Sequence, residues 1–245
     1  YTIVGGADAV SFSIGGAGSD ELILTDGAID FESKSSYSVV VRITDSGGLF
    51  YEETLIVNVN DLNDAPVITG GPDTSLLAET NAGLTDSGAW TVSDQDITDI
   101  VTAAVDSVTV GGTGTGSVPG ALDNATLLSF LSVSPAAILD STETTDTLTW
   151  NFNSGTESFD FLATGETLVL TYTVSATDND GTPLSDSETV TVTIAGTNDA
   201  PVITGGPDTS SLTETNAGLT DSVTLTVSDA DLTDTVTAAV DSVSV

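Results

Sequence analysis

Carboxylates are almost the only side chains in this sequence equipped for chemistry. The 245 residues include 37 Asp and Glu, two basic residues (Lys34 and Arg42), no His and no Cys, for a formal net charge of -35. Without His or Cys there is no Ser-His-Asp triad, no thiolate nucleophile and no zinc site of the usual nitrogen and sulfur kind. What remains is oxygen, from carboxylates, amide carbonyls and hydroxyls. Those are the ligands of a hard cation, and calcium (Ca2+) is the first candidate. The same charge repels phosphate backbones and anionic lipid, so nucleic acid and anionic membranes are poor partners. Carboxylate pairs can hydrolyse glycosides without His. A repeated unit ending in linkers offers no obvious cleft, however, and the sequence is not read as an enzyme.

Gly15 to Ile23 (GGAGSDELI) fits the calcium-binding β-roll nonapeptide, yet a β-roll needs stacked neighbours and none flanks this copy. It reads as a Gly-rich loop entering a strand. Asp178-Asn179-Asp180-Gly181 resembles the front of an EF-hand loop, but Ala176 stands at the first ligand position and Ser187 at the last. A hairpin turn with an optional ion is the better reading. Thr189 to Thr193 alternates Thr and Val like an ice-binding face, and equally like an ordinary strand with one face out and one in, which is preferred.

The scaffold that must hold these oxygens is a strand scaffold. Apolar residues make up 39%, the mean hydropathy is +0.21 and there are 41 threonines, which favours a folded, strand-rich chain over a disordered one. No apolar run is long enough to span a membrane. The chain begins at Tyr1, has no Met and shows no signal peptide, so it reads as a mature protein or a window of a longer one. Lack of Cys means only that disulfides do not stabilise it.

Internal repetition sets the organisation. Ala65 to Val110 and Ala200 to Val245 are identical at 37 of 46 positions, at an offset of 135 residues. Each copy follows an alternating strand and a short Asn-Asp linker: VNVNDLNDAPVI before the first, VTIAGTNDAPVI before the second. The reading is a linear array: residues 1–64 a domain truncated at its N-terminus, 65–199 a complete repeat, and 200–245 the truncated start of another, too short for a core of its own. Period-2 patterning places strands at 10–14, 21–25, 37–44, 51–60, 90–93, 101–110, 148–153, 167–177 and 188–194. Turns fall at 46–48, 111–112 and 179–181, and 121–131 admits a short helix. Trp90, Trp150, Phe152, Phe159, Phe161 and Tyr172 read as core. Short antiparallel strands with alternating faces give the fold class: all-β, tandem antiparallel β-sandwich domains.

Residues 1–66 resemble the later two-thirds of a cadherin-like domain, through Ile29-Asp30-Phe31-Glu32, Tyr37 to Val41, and Asp61-Leu62-Asn63-Asp64-Ala65-Pro66. The last is one residue shorter before the Pro than the family's closing motif. Residues 67–197 resemble the VCBS repeat of large bacterial surface adhesins, through Phe159 to Glu166, Tyr172 to Asp178, and Gly196-Thr197-Asn198-Asp199-Ala200-Pro201. The resemblance implies a secreted, calcium-stiffened adhesin on a bacterial surface, exported by type I secretion. Its implied partners are adjacent repeats of the same chain, and a glycan or protein receptor or a homophilic contact.

Carried over from cadherins, a calcium site at the first junction would use Asp30 and Glu32 upstream. Asp61, Asn63 and Asp64 would come from the linker, with the backbone oxygens of Leu62 and Ala65, and Asp94, Asp96 and Asp178 from downstream. The second junction offers Glu79, Asn198, Asp199, Asp229 and Asp231. There Gly196 replaces the aspartate found at Asp61, and the repeat shows no Asp-x-Glu pair equivalent to Asp30 and Glu32, which implies fewer ions or weaker binding. The bland alternative is good turn chemistry: Asn and Asp cap turns and Pro fixes the exit. A second functional class, a carbohydrate- or protein-binding module on the sandwich loops, has thin support, because both Trp residues sit on alternating strands and read as core.

Overall fold

The computed structural model describes residues 1–244 and divides the chain into two compact units, Tyr1–Asp64 and the chain from Ala65 onward. In unit 1 the strands are β1 (Thr2–Gly5), β2 (Phe12–Gly15), β3 (Glu21–Leu24), β4 (Ser36–Thr44) and β5 (Phe50–Asn58). They form a three-stranded sheet in the order β1-β4-β5 and a β2-β3 hairpin. Alternation on β4 turns Tyr37, Val39 and Val41 inward, where Phe12 meets Tyr37 edge-on at 6.1 Å between ring centres. The hairpin is what the Gly-rich stretch at 15–23 becomes.

Both basic residues of the chain are consumed within unit 1. Lys34 pairs with Asp8 and lies over the Tyr37 ring at 4.6 Å. Arg42 pairs with Glu52, Nε to Oε1 at 2.8 Å, and lies over Phe50 at 4.3 Å. Residues 65–245 therefore contain 26 Asp and Glu and not one Lys, Arg or His. Any carboxylate brought inside unit 2 has no side-chain cation to answer it.

Unit 2 contains β6 (Val67–Thr69), β7 (Asp73–Ala78), β8 (Thr85–Ser93), β9 (Val101–Gly111), α1 (Asn124–Leu128), β10 (Leu131–Ser134), β11 (Ala137–Leu139), β12 (Thr145–Asn153), β13 (Thr167–Thr177), β14 (Ser185–Ala195), β15 (Val202–Thr204) and β16 (Thr226–Ser228). One sheet runs β10-β12-β8-β6 and the other β11-β9-β13-β14-β7, with β15 and β16 pairing on their own. The β13 sequence TLVLTYTVSAT shows why: every second residue, Leu168 to Ala176, is fully buried and its neighbours are not. Trp90, Trp150, Phe152, Phe159, Phe161 and Tyr172 are all buried in one core, as their spacing suggests. Gly88 makes room for Trp150, since a Cβ there would lie 2.5 Å from the indole nitrogen. That nitrogen donates to Asp73 Oδ2 at 2.6 Å, tying β12 to β7.

One pairing departs from the antiparallel expectation. β7 runs parallel to β14, from Asp73↔Val190 to Ala78↔Ala195. β6 belongs to the first sheet and β7 to the second, so the chain crosses between sheets and arrives on the outer edge of β14 running the same way. The helix is shorter than the stretch that admits it, capped by Asp123, whose Oδ1 accepts the Thr126 N–H at 2.8 Å. Residues 10–11 form a 3-10 turn rather than the start of a strand. Gly111 is the last residue of β9, and the turn falls to Gly112, where φ is +97° and a Cβ would meet the Thr167 carbonyl at 2.2 Å.

Burial pushes the Tyr172 hydroxyl far above its ordinary value, and it donates to the Leu127 carbonyl at 2.9 Å. Tyr172→Phe removes that bond and leaves the Leu127 carbonyl to the Phe130 N–H, at 3.2 Å. The expected loss is about 1 kcal/mol, seen as a lower urea midpoint with unchanged m-value.

Candidate metal centres

β13 and β14 pair from Thr177↔Ser185 at one end to Thr167↔Ala195 at the other. Carboxylates gather at both ends, roughly 33 Å apart along the strands at about 3.3 Å per residue.

At the first end, β8 stops at Ser93 and the chain turns, with the Asp99 N–H on the Asp96 carbonyl at 2.9 Å. Asp94 is held by its own N–H on the Thr144 carbonyl at 3.0 Å, and its Oδ1 accepts the Asp96 N–H at 3.0 Å. Asp178 follows β13 and accepts the Leu184 N–H at 3.1 Å, which closes the hairpin. These restraints bring one carboxylate oxygen each from Asp94, Asp99 and Asp178 within 4.8 Å of one another. Asp94 and Asp178 are each only 4% exposed. Burial pushes the Asp99 carboxyl above its ordinary value, and the charges of Asp96, Asp178, Asp94 and Asp180 push it the same way. Asp96, expected beside Asp94, is buried as well.

At the other end, Glu79 leaves β7 with its N–H on the Ala195 carbonyl at 2.9 Å. Its Oε1 accepts the Thr197 N–H at 2.8 Å and the Thr197 hydroxyl. Oxygens of Glu79, Asp160 and Asp199 lie within 4.8 Å of one another. Asp231 joins them, since its Oδ2 accepts the Asp199 N–H at 2.8 Å while its own N–H rests on Asp229 Oδ1 at 3.2 Å. Glu79 and Asp231 are 3% and 2% exposed. Asp160 Oδ1, Asp199 Oδ2 and Asp231 Oδ1 are buried with no hydrogen-bond partner. Burial raises the Asp199 carboxyl, followed by the charges of Asp160, Asp231 and Asp229. Asn198 lies beside the group, its amide donating to the Asp199 carbonyl at 3.0 Å.

Within unit 1, Glu32 and Asp64 bring carboxylate oxygens within 4.8 Å of each other. Asp30 is turned to local work: Oδ1 accepts the N–H groups of Glu32 at 3.0 Å and Ser33 at 3.2 Å, and Oδ2 the Ser33 hydroxyl at 2.8 Å. Those bonds from Ser33 hold its carboxyl below the usual value. Asp61, Leu62 and Ala65 are exposed, and Asn63 is half-buried.

Two cluster members were not expected from sequence. Asp99 lies three residues past Asp96, and only the turn hydrogen bond brings it back. Asp160 is followed by Phe161 and Leu162, so it forms no Asp-x-Glu pair that would mark it. The available signal was the Asp-Phe step, Asp160-Phe161, which repeats Asp30-Phe31.

The chemistry open to such groups is narrow. Buried carboxylates within 4.8 Å of one another repel unless they take up protons or share a cation. Hard divalent cations prefer all-oxygen sets of this type, and the residues present fit calcium.

No protein-family model matches the chain. Over 99 residues, 39% of its length, the chain is 31% identical to Cadherin-3 of Caenorhabditis elegans, of which it spans 3%. Among solved structures, human CDH23 EC21-23 matches 94% of the chain and 68% of its own at 19% identity and a TM-score of 0.48. The protocadherin gammaB7 EC3-6 cis-dimer matches 83% and 42% at 21% identity and a TM-score of 0.47.

Proposed function

We propose that this chain is a calcium-binding structural and adhesive repeat region of an extracellular protein, with ions at the ends of the units stiffening the array. The observation that carries this is the set of buried, unpartnered oxygens on Asp160, Asp199 and Asp231, in a unit with no basic residue to neutralise them. The stretch shared with a cadherin supports the extracellular, adhesive setting. The tandem repeat and its VCBS-like motifs support a bacterial surface adhesin in particular. The proposed ligands are Glu79, Asp160, Asp199, Asp229 and Asp231 at the second junction. At the other end of unit 2 they are Asp94, Asp96, Asp99 and Asp178; within unit 1 they are Glu32, Asn63 and Asp64, with Asp30 shaping the loop that carries Glu32. Small-angle scattering of the dilute chain is the test of stiffening. Calcium is expected to lengthen the maximum dimension and narrow its distribution relative to chelator; identical profiles would sink the idea.

A further inference from the structure

β7 is an edge strand of the complete repeat. β14 pairs with it on one side, and no described strand pairs with it on the other. The Glu79 N–H donates to the Ala195 carbonyl, so the odd-numbered residues of β7 turn their backbone groups toward β14. Backbone groups alternate along a strand, so Thr74, Leu76 and Ala78 point their N–H and C=O groups to the free edge. Their side chains share the outer face, opposite buried Ser75, and all three are exposed, Leu76 to 79%.

Two features set this edge apart. Edge strands are usually kept from pairing by charge, yet Thr74 to Ala78 carries none, in a unit rich in carboxylates. Asp73, just before it, is engaged inside the unit, its Oδ2 accepting the Trp150 indole N–H at 2.6 Å. The second feature is a comparison within the chain. In the next repeat the inward residues Ser75 and Leu77 recur as Ser210 and Leu212, while the outward Leu76 and Ala78 give way to Ser211 and Thr213. The inner face keeps what the fold needs, and an apolar outer face is not among those needs.

We infer that β7 is a homophilic contact, in which the strand pairs antiparallel with β7 of a second copy. The outward backbone groups fix the register. Leu76 faces Leu76 across a two-fold axis as a hydrogen-bonded pair, with Cα atoms about 5.5 Å apart. Thr74 faces Ala78 on either side, and the two Leu76 side chains meet on the outer face. The same strand serves on both sides, so the contact is isologous and closes at a dimer. A second copy suits this edge because residues 74–78 set no charge against themselves. Asp73 does fall opposite Glu79 of the second copy, but each carboxylate is engaged in its own unit, Asp73 by Trp150 and Glu79 by the Thr197 N–H. The net charge of -35 opposes the contact, and salt relieves the opposition. The pairing needs no calcium, so it stands or falls apart from the metal sites.

The chain has no cysteine, so one introduced thiol reports on one position. The test is disulfide trapping of the full chain in chelator, with about 0.5 M salt to screen charge. Leu76→Cys sets two thiols at a Cα spacing that suits a disulfide, and a covalent dimer is expected at least about tenfold faster than with Thr74→Cys alone. In this register the two Thr74 positions lie about 14 Å apart, four residues along the strand. An equimolar mixture of Thr74→Cys and Ala78→Cys is expected to give the heterodimer. Sedimentation equilibrium of the cysteine-free chain from about 1 to about 200 µM is expected to show self-association. Leu76→Asp, which sets two carboxylates face to face at an exposed position, is expected to weaken it at least about tenfold. Equal trapping at positions 74 and 76 overturns the inference, as does a mixture that gives no heterodimer. So does a wild-type chain that stays monomeric throughout, or a Leu76→Asp chain that associates like wild type.

Discussion

Asp199→Asn is expected to change stability in opposite directions with and without calcium. In chelator the substitution raises the melting temperature of unit 2, because it removes an ionised carboxylate that burial and the charges of Asp160, Asp231 and Asp229 already disfavour. The sign follows from linkage. The folded-state value of Asp199 lies above its ordinary value, so its protonation stabilises the fold fully below that ordinary value. The stabilisation is lost as pH rises through the raised value. At neutral pH the ionised group is a net burden on the empty chain, and acidifying the wild type in chelator should raise its stability. With calcium present the order reverses: the wild type gains stability by mass action, and the variant loses a ligand and binds at least about tenfold more weakly. Differential scanning calorimetry of both proteins in both buffers measures all four cases. A variant that gains as much from calcium as wild type removes Asp199 from the ligand set.

The largest loss of stability is expected at Phe152. Its ring is 1% exposed and meets Phe130 at 6.2 Å and Tyr172 at 6.4 Å, linking β12, the turn after α1 and β13. Phe152→Ala leaves a cavity where both sheets meet, and a loss of about 3–5 kcal/mol is expected in urea unfolding. The transition of unit 1, whose small core is built around Phe12, Tyr37, Val39 and Val41, should stay where it is. A loss under about 1 kcal/mol would mean that the sheets do not pack through this ring.

The core was legible because it is periodic. The alternation in β13 and β14 names the buried residues one by one, and the six aromatics followed from the same count. β7 was not legible: DTSLLA does not alternate cleanly, and its partner β14 lies over 100 residues away in parallel register, a pairing no local pattern announces. Glu79 is placed by its N–H on the Ala195 carbonyl and Asp199 by its N–H on the Asp231 carboxylate, two contacts that link residues distant in the sequence. Asp99 and Asp160 escaped because tertiary placement, not spacing, brings them in. Asp160 sits between the buried rings of Phe159 and Phe161, and Phe159 adopts φ of +67° there. The net charge gains a location from the fold. All the basic residues are spent in unit 1, and unit 2 is left with buried carboxylates at both ends and no cation of its own.

Isothermal titration calorimetry of the chelator-stripped chain with calcium, with magnesium as the control, tests the central claim most directly. Saturable calcium binding at two or more sites is expected. Magnesium should bind much more weakly, because it requires a tight octahedron and gives up its water reluctantly. Asp160→Asn should remove the sites at one end of unit 2, and Asp99→Asn those at the other. No calcium heat beyond dilution at near-millimolar concentration, or equal binding of magnesium, would contradict it.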